Sequence, residues 1–105
     1  MRIAVPSMGQ DIRSTVSDRL GRCRYIVVYD TNSKQYFSVP NPGLLVQDGS
    51  GIKTAEAVIR TGADSLLSPE VGLKAYSVLI KQHIKIHLIN SASSVKDALK
   101  KFSKK

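Results

Sequence analysis

The sequence is short of the residue types on which several classes of function depend. Its 105 residues include one cysteine, two histidines and no tryptophan. A single cysteine excludes an internal disulfide and a cysteine-rich zinc or iron–sulfur cage. The two histidines do not supply the missing ligands. Any bound metal would therefore have to bring most of its own ligands, or be held through very few protein atoms.

Long apolar runs and clustered acids are absent as well. No apolar run approaches the ~18–20 residues that cross a membrane, and the first residues are typical of an amphipathic strand rather than a signal peptide. We therefore expect a cytoplasmic protein with no membrane partner. The 8 acidic residues are scattered along the chain. Because two-metal nuclease chemistry needs clustered carboxylates, this scatter argues against a nuclease.

Basic residues, by contrast, are abundant. Lys and Arg number 16 against 8 Asp and Glu, which gives a net charge of +8 and predicts an anionic partner. Four arginines lie within residues 13–24, and seven lysines lie within residues 81–105. The lysine-rich end is typical of a solvated helix face and tail. The arginine cluster is the better candidate site, because guanidinium groups bind planar anions through paired hydrogen bonds.

The hydrophobic pattern predicts an α/β fold in a single domain over residues 1–105. Alternating and continuous apolar runs indicate strands, and apolar positions three and four residues apart indicate helices. The strands are predicted at 2–5, 25–30, 35–39, 64–67 and 84–88, and the helices are predicted to open at 48–52, 68–70 and 94–97. The long loop 6–24 is expected to contain a helical turn at 16–20. The order β β β α β α β α implies a five-stranded mixed sheet with one antiparallel strand and three helices.

Two short segments that open helices could bind an anion. They are Asp48-Gly49-Ser50-Gly51-Ile52 and Ser68-Pro69-Glu70-Val71-Gly72. Backbone N–H groups at a helix N-terminus favour negative charge, and glycine lets a ligand approach them. The alternative is an ordinary turn with Asp48, Ser50 or Ser68 as a helix cap. Because ligands of open α/β sheets bind beyond the carboxyl ends of parallel strands, both segments and loop 6–24 are predicted to converge there.

Cys23 lies among Arg19, Arg22 and Arg24. Positive surroundings lower the pKa of a thiol, so Cys23 could be a nucleophile, a metal ligand or a small residue packed beside a buried strand. A nucleophile needs a base, and the only candidate, His87, lies on a predicted edge strand with no orienting acid. This disfavours a small hydrolase and leaves the ligand and packing roles open.

A basic interaction module that binds nucleic acid or a protein partner is the alternative function. The net charge suits nucleic acid. However, the tyrosines and Phe37 of the predicted strands lack interleaved basic residues that would complete a stacking platform. Nucleic acid is therefore the weaker prediction.

A set of short motifs, in order along the chain, resembles the dinitrogenase iron–molybdenum cofactor biosynthesis family. The motifs are Ile-Ala-Val-Pro-Ser at 3–7, Val-Ser at 16–17, Leu-Gly-Arg-Cys-Arg-Tyr at 20–25, Tyr-Asp at 29–30, Gly-Ser-Gly-Ile at 49–52, Gly-Ala-Asp at 62–64, Gly-Leu-Lys-Ala at 72–75 and Ile-Lys-Ile at 84–86. The resemblance implies a ribonuclease H-like fold. It also implies non-catalytic, non-covalent binding of an anionic metal–sulfur cluster, similar to the iron–molybdenum cofactor, or of its precursor.

The resemblance and the loop pattern together give a set of candidate cofactor-binding residues. Arginines would supply charge, glycines backbone donors, and Cys23 a sulfur ligand to metal. The set is Ser7, Met8, Gly9, Arg19, Gly21, Arg22, Cys23, Arg24, Gly49, Ser50, Gly51, Ser68 and Gly72. Arg19 stands where many family members have histidine. Cluster-assembly proteins are candidate partners, and we expect a monomer or a homodimer.

Overall fold

The computed structural model describes residues 1–90 and 94–103, so the last two lysines of the basic tail lie outside the described residues. Five strands form one sheet in the order β3-β2-β1-β4-β5. The strands are β1 (Arg2–Ser7), β2 (Tyr25–Asp30), β3 (Gln35–Pro40), β4 (Ser65–Ser68) and β5 (Lys85–Leu88), and the helices are α1 (Ser50–Arg60), α2 (Leu73–Lys81) and α3 (Val95–Ser103). The predicted element order is confirmed.

The sheet is mixed, and β2 is its one antiparallel strand. β2 pairs antiparallel with β1 and with β3, whereas β1 pairs with β4, and β4 with β5, in parallel. This arrangement confirms the predicted five-stranded sheet and is consistent with a ribonuclease H-like motif. Because β1, β3, β4 and β5 run in the same direction, their carboxyl ends meet at one edge of the sheet, as the convergence of the loops requires.

The three helices cover the sheet from both sides. One apolar cluster joins the inner faces of α1 and α2, including Val58 and Leu79, to Ile26 and Leu66 of the sheet. A second cluster joins α3, through Val95 and others, to the opposite face of the sheet. The apolar stripes seen in the sequence thus face two cores. The loops at the carboxyl ends of the strands remain as the place to look for a candidate site.

The first strand is longer than predicted because Pro6 does not end it. Pro6 lies opposite Ile26 in the antiparallel ladder, and β1 continues to Ser7. Proline cannot donate to a ladder. The parallel ladder with β4, however, includes only Ile3 and Ala4. Pro6 therefore lies beyond the last residue that pairs with β4, and the ladder with β4 needs no N–H donor at this position.

The predicted start of the second helix is wrong. Ser68 is the last residue of β4, where it pairs with Leu88, and its hydroxyl donates to the Glu70 carbonyl at 2.8 Å. The chain bends at Pro69 and becomes helical only after Gly72, which is the N-cap of α2. Tertiary bonds hold this segment out of the helix, since the Leu20 N–H donates to the Glu70 carbonyl at 3.3 Å.

Two smaller local predictions also need correction. The helical turn expected at 16–20 is a 3-10 turn at Leu20–Arg22, named η1 here. Val16 instead forms a β-bridge with Ser7. Neither Asp48 nor Ser50 caps α1: the N-cap is Gly49, in a left-handed conformation with φ 76°, and no described side chain makes a capping hydrogen bond there. No helix among the described residues is long and apolar enough to span a membrane.

Two further sequence signals concern helix termini: Gly62 predicts the end of α1, and Ser94 followed by Asp97 predicts a capping box at the start of α3. The structure agrees with both. Gly62, directly after the C-cap of α1, has φ 78°, a conformation that stops helices and favours glycine. At α3, the Ser94 hydroxyl accepts from the Asp97 N–H at 3.1 Å. This bond is the serine half of the predicted capping box.

Candidate functional site

An open groove of about 680 Å³ lies between loop 8–24 and the segment after β3. We call it the arginine groove. Its lining residues are Met8, Arg22, Arg24, Tyr25, Pro40, Asn41, Leu44 and Leu45. Arg22 and Arg24 are exposed, and Met8 is 43% exposed. The groove thus combines two guanidinium groups with an apolar rim, and two of the sequence-predicted arginines line it together.

A second hollow, of about 350 Å³, lies between the N-termini of α1 and α2. We call it the glycine hollow. Its lining residues are Gly49, Ser50, Gly51, Ile52, Gly72, Leu73, Lys74 and Ala75. Neither helix has a side-chain cap or an acid in its first turn, so their first N–H groups are available to a ligand. Lys74 is the one charged residue among the described lining residues. The dipoles of the two helices add to the positive potential that it creates.

Gly21 connects the groove to the hollow. A Cβ atom at Gly21 would lie 3.4 Å from the Gly51 Cα and 3.5 Å from the Ser50 Oγ. The η1 turn therefore packs directly on the first turn of α1, and the next residue, Arg22, lines the arginine groove. The structure thus brings together six of the predicted residues: Gly21, Arg22, Gly49, Ser50, Gly51 and Gly72.

Arg19 lies on the same loop, where it contacts an acid. Its Nε is 3.9 Å from Glu70 Oε1, and both side chains are more than half exposed. An ion pair of this kind contributes little to stability, typically about 0.2–1 kcal/mol. Glu70 lies between β4 and α2, so the pair connects loop 8–24 to the segment that leads into the glycine hollow.

Three other predicted residues have structural roles. Ser7 is fully buried, and its hydroxyl donates to the Gly9 carbonyl at 2.7 Å. Gly9 approaches Ser14 so closely that a Cβ atom there would collide with the Ser14 side chain. Ser68 is also fully buried, with its hydroxyl bonded as described above. These residues shape the loops at the carboxyl ends of β1 and β4 and do not face the groove.

Cys23 does not reach the surface and is not available as a ligand, which corrects that prediction. Its exposed fraction is 0%, and it packs with Leu20 and Ile26 in the core beneath α1 and α2. Burial raises the pKa of the thiol to about 12. His87 packs against Phe102 of α3, with ring centroids 4.9 Å apart. The two residues thus belong to opposite sides of the sheet and cannot form a catalytic pair.

Sequence reasoning missed the residue that joins the parts of this site. Asn41 is buried, and its amide donates to the Cys23 carbonyl at 2.7 Å. Its Oδ1 accepts from the Gly43 N–H at 2.9 Å and from the Thr54 hydroxyl at 2.7 Å. One side chain therefore holds the end of η1, the short turn after β3 and the first half of α1.

Gly43 allows that turn to lie against α1. A Cβ atom at Gly43 would be 2.5 Å from both the Ser50 carbonyl oxygen and the Thr54 Oγ1. The turn, Pro42–Leu45, begins with Asn41 as its N-cap and a proline in its first turn. The sequence Asn41-Pro42-Gly43 is the signal that could have predicted this capped turn.

The described residues contain no group of three or more His, Cys, Asp or Glu that could hold a metal ion. The chemical groups that the groove and the hollow present are guanidinium groups, backbone N–H donors and apolar side chains.

Comparisons with known proteins agree with the fold and with the sequence motifs. The apo orange protein of Desulfovibrio gigas superposes with a TM-score of 0.93 and 31% identity, over 98% of this chain and 87% of that one. A putative NifB protein from Thermotoga, solved by NMR, superposes with a TM-score of 0.85 and 32% identity, over 98% of this chain and 87% of that one. Curated protein sequences give no match. The family model described as dinitrogenase iron-molybdenum cofactor matches residues 1–105. The chain belongs to this family.

Proposed function

We propose that the protein is a non-catalytic carrier that binds an anionic metal–sulfur cluster, similar to the iron–molybdenum cofactor, or its precursor. The observation that carries this proposal is the meeting of two uncapped helix N-termini in one hollow. Such termini bind anions through free N–H groups and the helix dipole. The family's name points to the same class of ligand.

The arginine groove would contact a second side of the cluster. Arg22 and Arg24 are exposed and make no ion pair with another described residue. They can therefore turn toward sulfide or other anionic atoms without breaking an existing contact. Met8 offers a polarizable thioether to the same groove. The cluster would be held by many weak contacts, which suits a cargo that must be released.

Two leucines beside this surface support a partner protein as donor or acceptor of the cluster. Leu45, on the rim of the groove, is 89% exposed, and Leu73, in the glycine hollow, is 88% exposed. Large exposed apolar patches mark interaction sites, and these two leucines would contribute apolar area to the footprint of a partner. A cluster-assembly protein that covers them would exclude water from the cluster during transfer.

The direct test is an anaerobic titration of the protein with a synthetic iron–molybdenum–sulfide cluster, followed by absorbance and calorimetry. We expect one-to-one binding, weakened about tenfold in an Arg22→Ala/Arg24→Ala variant, which corresponds to ~1.4 kcal/mol. The matched control is Lys100→Ala/Lys101→Ala on α3, which removes the same charge from the other side of the sheet and should change affinity less than twofold.

The outcomes separate the cluster proposal from the alternative of a basic nucleic-acid module. Binding that is equal in both double variants would contradict the site. No cluster binding, together with a gel shift of random oligonucleotides that disappears steeply as salt rises, would contradict the function and support the alternative.

A further inference from the structure

The edge strand β3 has little of the protection that a sheet edge usually carries: Pro40, at its end, is its one protective residue. It runs for six residues, Gln35–Pro40, paired in regular register with β2 on one side, and no described strand pairs with its other side. Its sequence has no charged residue, although charged side chains are the common protection of edges. The opposite edge, β5, is shorter and carries Lys85 and His87. The backbone groups along β3 are therefore open to an added strand.

A groove with a mixed polar and apolar lining accompanies this open edge. It has a volume of about 440 Å³ and lies between β3 and the second half of α1. Its lining residues are Arg2, Phe37, Val39, Pro40, Pro42, Ala57, Arg60 and Thr61. Phe37 is 40% exposed, because α1 does not cover the edge of the sheet. Alternate side chains of a strand added to β3 would point into this groove.

The charged residues that line the groove indicate which kind of ligand would bind there. No lining residue is acidic, and two are arginines. Arg2 is already engaged: it lies over the Phe37 ring, with its Cζ 5.7 Å from the centroid, donates to the Thr61 carbonyl at 2.9 Å and pairs with Asp30 at 3.8 Å. The Arg60 guanidinium, at the end of α1, contacts no described acid. A second copy would bring another Arg60 and no acidic residue among the described lining residues to pair with it, whereas a carboxylate of a different partner would pair with Arg60.

We propose that β3 and its groove bind an extended acidic peptide segment of a partner protein. The segment adds a strand to the sheet, places apolar side chains beside Phe37 and Val39, and directs a carboxylate to Arg60. Strand addition of this kind takes affinity from main-chain hydrogen bonds and specificity from alternate side chains. Among the described lining residues, this surface meets the arginine groove at Pro40 and shares none with the glycine hollow. The proposal does not depend on cluster binding.

The test is selection of peptides from a displayed library of random nine-residue sequences on the immobilised full chain. We expect enrichment of sequences that alternate apolar residues and include Asp or Glu. A selected peptide, made synthetically, should bind Arg60→Glu at least tenfold more weakly and Arg60→Gln several-fold more weakly. Peptide addition should slow amide exchange within Gln35–Pro40 at least tenfold. Two versions of the peptide are then compared, with N-methyl groups on the odd-numbered or on the even-numbered backbone nitrogens. One of the two should lose binding, because an added strand bonds to β3 through every second N–H group.

Arg13→Glu is the matched control, because it reverses an exposed arginine that lines neither the groove beside β3 nor the arginine groove. It should change peptide affinity less than twofold. Failure to enrich any acidic sequence would overturn the proposal. So would equal affinity for the wild type and Arg60→Glu, or exchange protection that appears around Arg22 and Gly49 rather than in β3. Far-ultraviolet circular dichroism verifies that each variant is folded before binding is compared.

Discussion

Replacement of Asn41 by alanine tests whether one buried side chain organises the candidate site. The substitution removes the donor to the Cys23 carbonyl and the acceptor for the Gly43 N–H. The Thr54 hydroxyl keeps a second acceptor, the Ser50 carbonyl at 2.8 Å, so its loss is partial. Two buried backbone groups are left without partners, and each costs about 1–3 kcal/mol. We expect the free energy of unfolding to fall by roughly 2–5 kcal/mol.

Urea unfolding followed by circular dichroism measures this change, with thermal unfolding as a second probe. For a chain of this size, each kcal/mol lowers the melting temperature by about 4 °C. Asn32→Ala is the matched control: Asn32 lies in the exposed turn between β2 and β3, and a surface change there should stay within ~0.5 kcal/mol. A loss at Asn41 no greater than the control would refute the role of this side chain.

Two further predictions follow from Cys23 and Gly49. Burial raises the pKa of the Cys23 thiol from 9.0 to about 12, so the thiol loses its proton at a lower pH in the unfolded chain than in the folded one. The stability that the buried thiol contributes is fully present below pH 9. The free energy of unfolding should fall by about 1.4 kcal/mol per pH unit between pH 9 and pH 12. Cys23→Ala should remove this part of the pH slope, and an unchanged slope would contradict the burial argument. Gly49→Ala should lower the free energy of unfolding by about 1–3 kcal/mol through its φ of 76°. Apart from its chain neighbours, no described atom lies within 4 Å of the added Cβ, so the loss comes from backbone strain, and a Gly49→Ala variant as stable as the wild type would contradict this argument.

Most of the fold could be predicted because its signals are local. Tyr25–Asp30 is a continuous run of strand-forming residues, and its three middle residues, 26–28, are buried. The apolar stripes of α1 and α3 predicted their inner faces, and Gly62 predicted the end of α1. Each of these elements is specified by residues within one segment, so the pattern and the structure agree.

The start of α2 could not be predicted, because distant contacts override its local signal. Ser68-Pro69-Glu70 has the composition of a helix N-terminus. In the structure, Ser68 completes the ladder with β5, and the Ser68 carbonyl accepts from the Ile89 N–H at 3.1 Å. Burial of Ser68 in the sheet is incompatible with an exposed cap. The helix therefore begins after Gly72.

The candidate site was predictable only in part. Glycines and arginines indicate anion binding by their chemistry alone, so Gly49, Gly51 and Arg22 were found. Asn41 was not, because its three partners lie in separate segments of the chain. Leu44 and Leu45 likewise become rim residues only when the turn after β3 packs beside α1. Their roles are set by tertiary structure and leave no periodic signal.

Two opposite effects act on the pKa of the Cys23 thiol: the neighbouring arginines would lower it, and burial raises it. The chain is extended at Cys23, so successive side chains point to opposite sides. Arg22 and Arg24 are exposed, and Cys23 between them is buried. Water screens the charges of the arginines, whereas desolvation acts on the thiol directly and is the largest cause of its raised pKa. Burial therefore outweighs nearby positive charge at the thiol, and the same alternation that removes Cys23 from the surface presents both arginines to the groove.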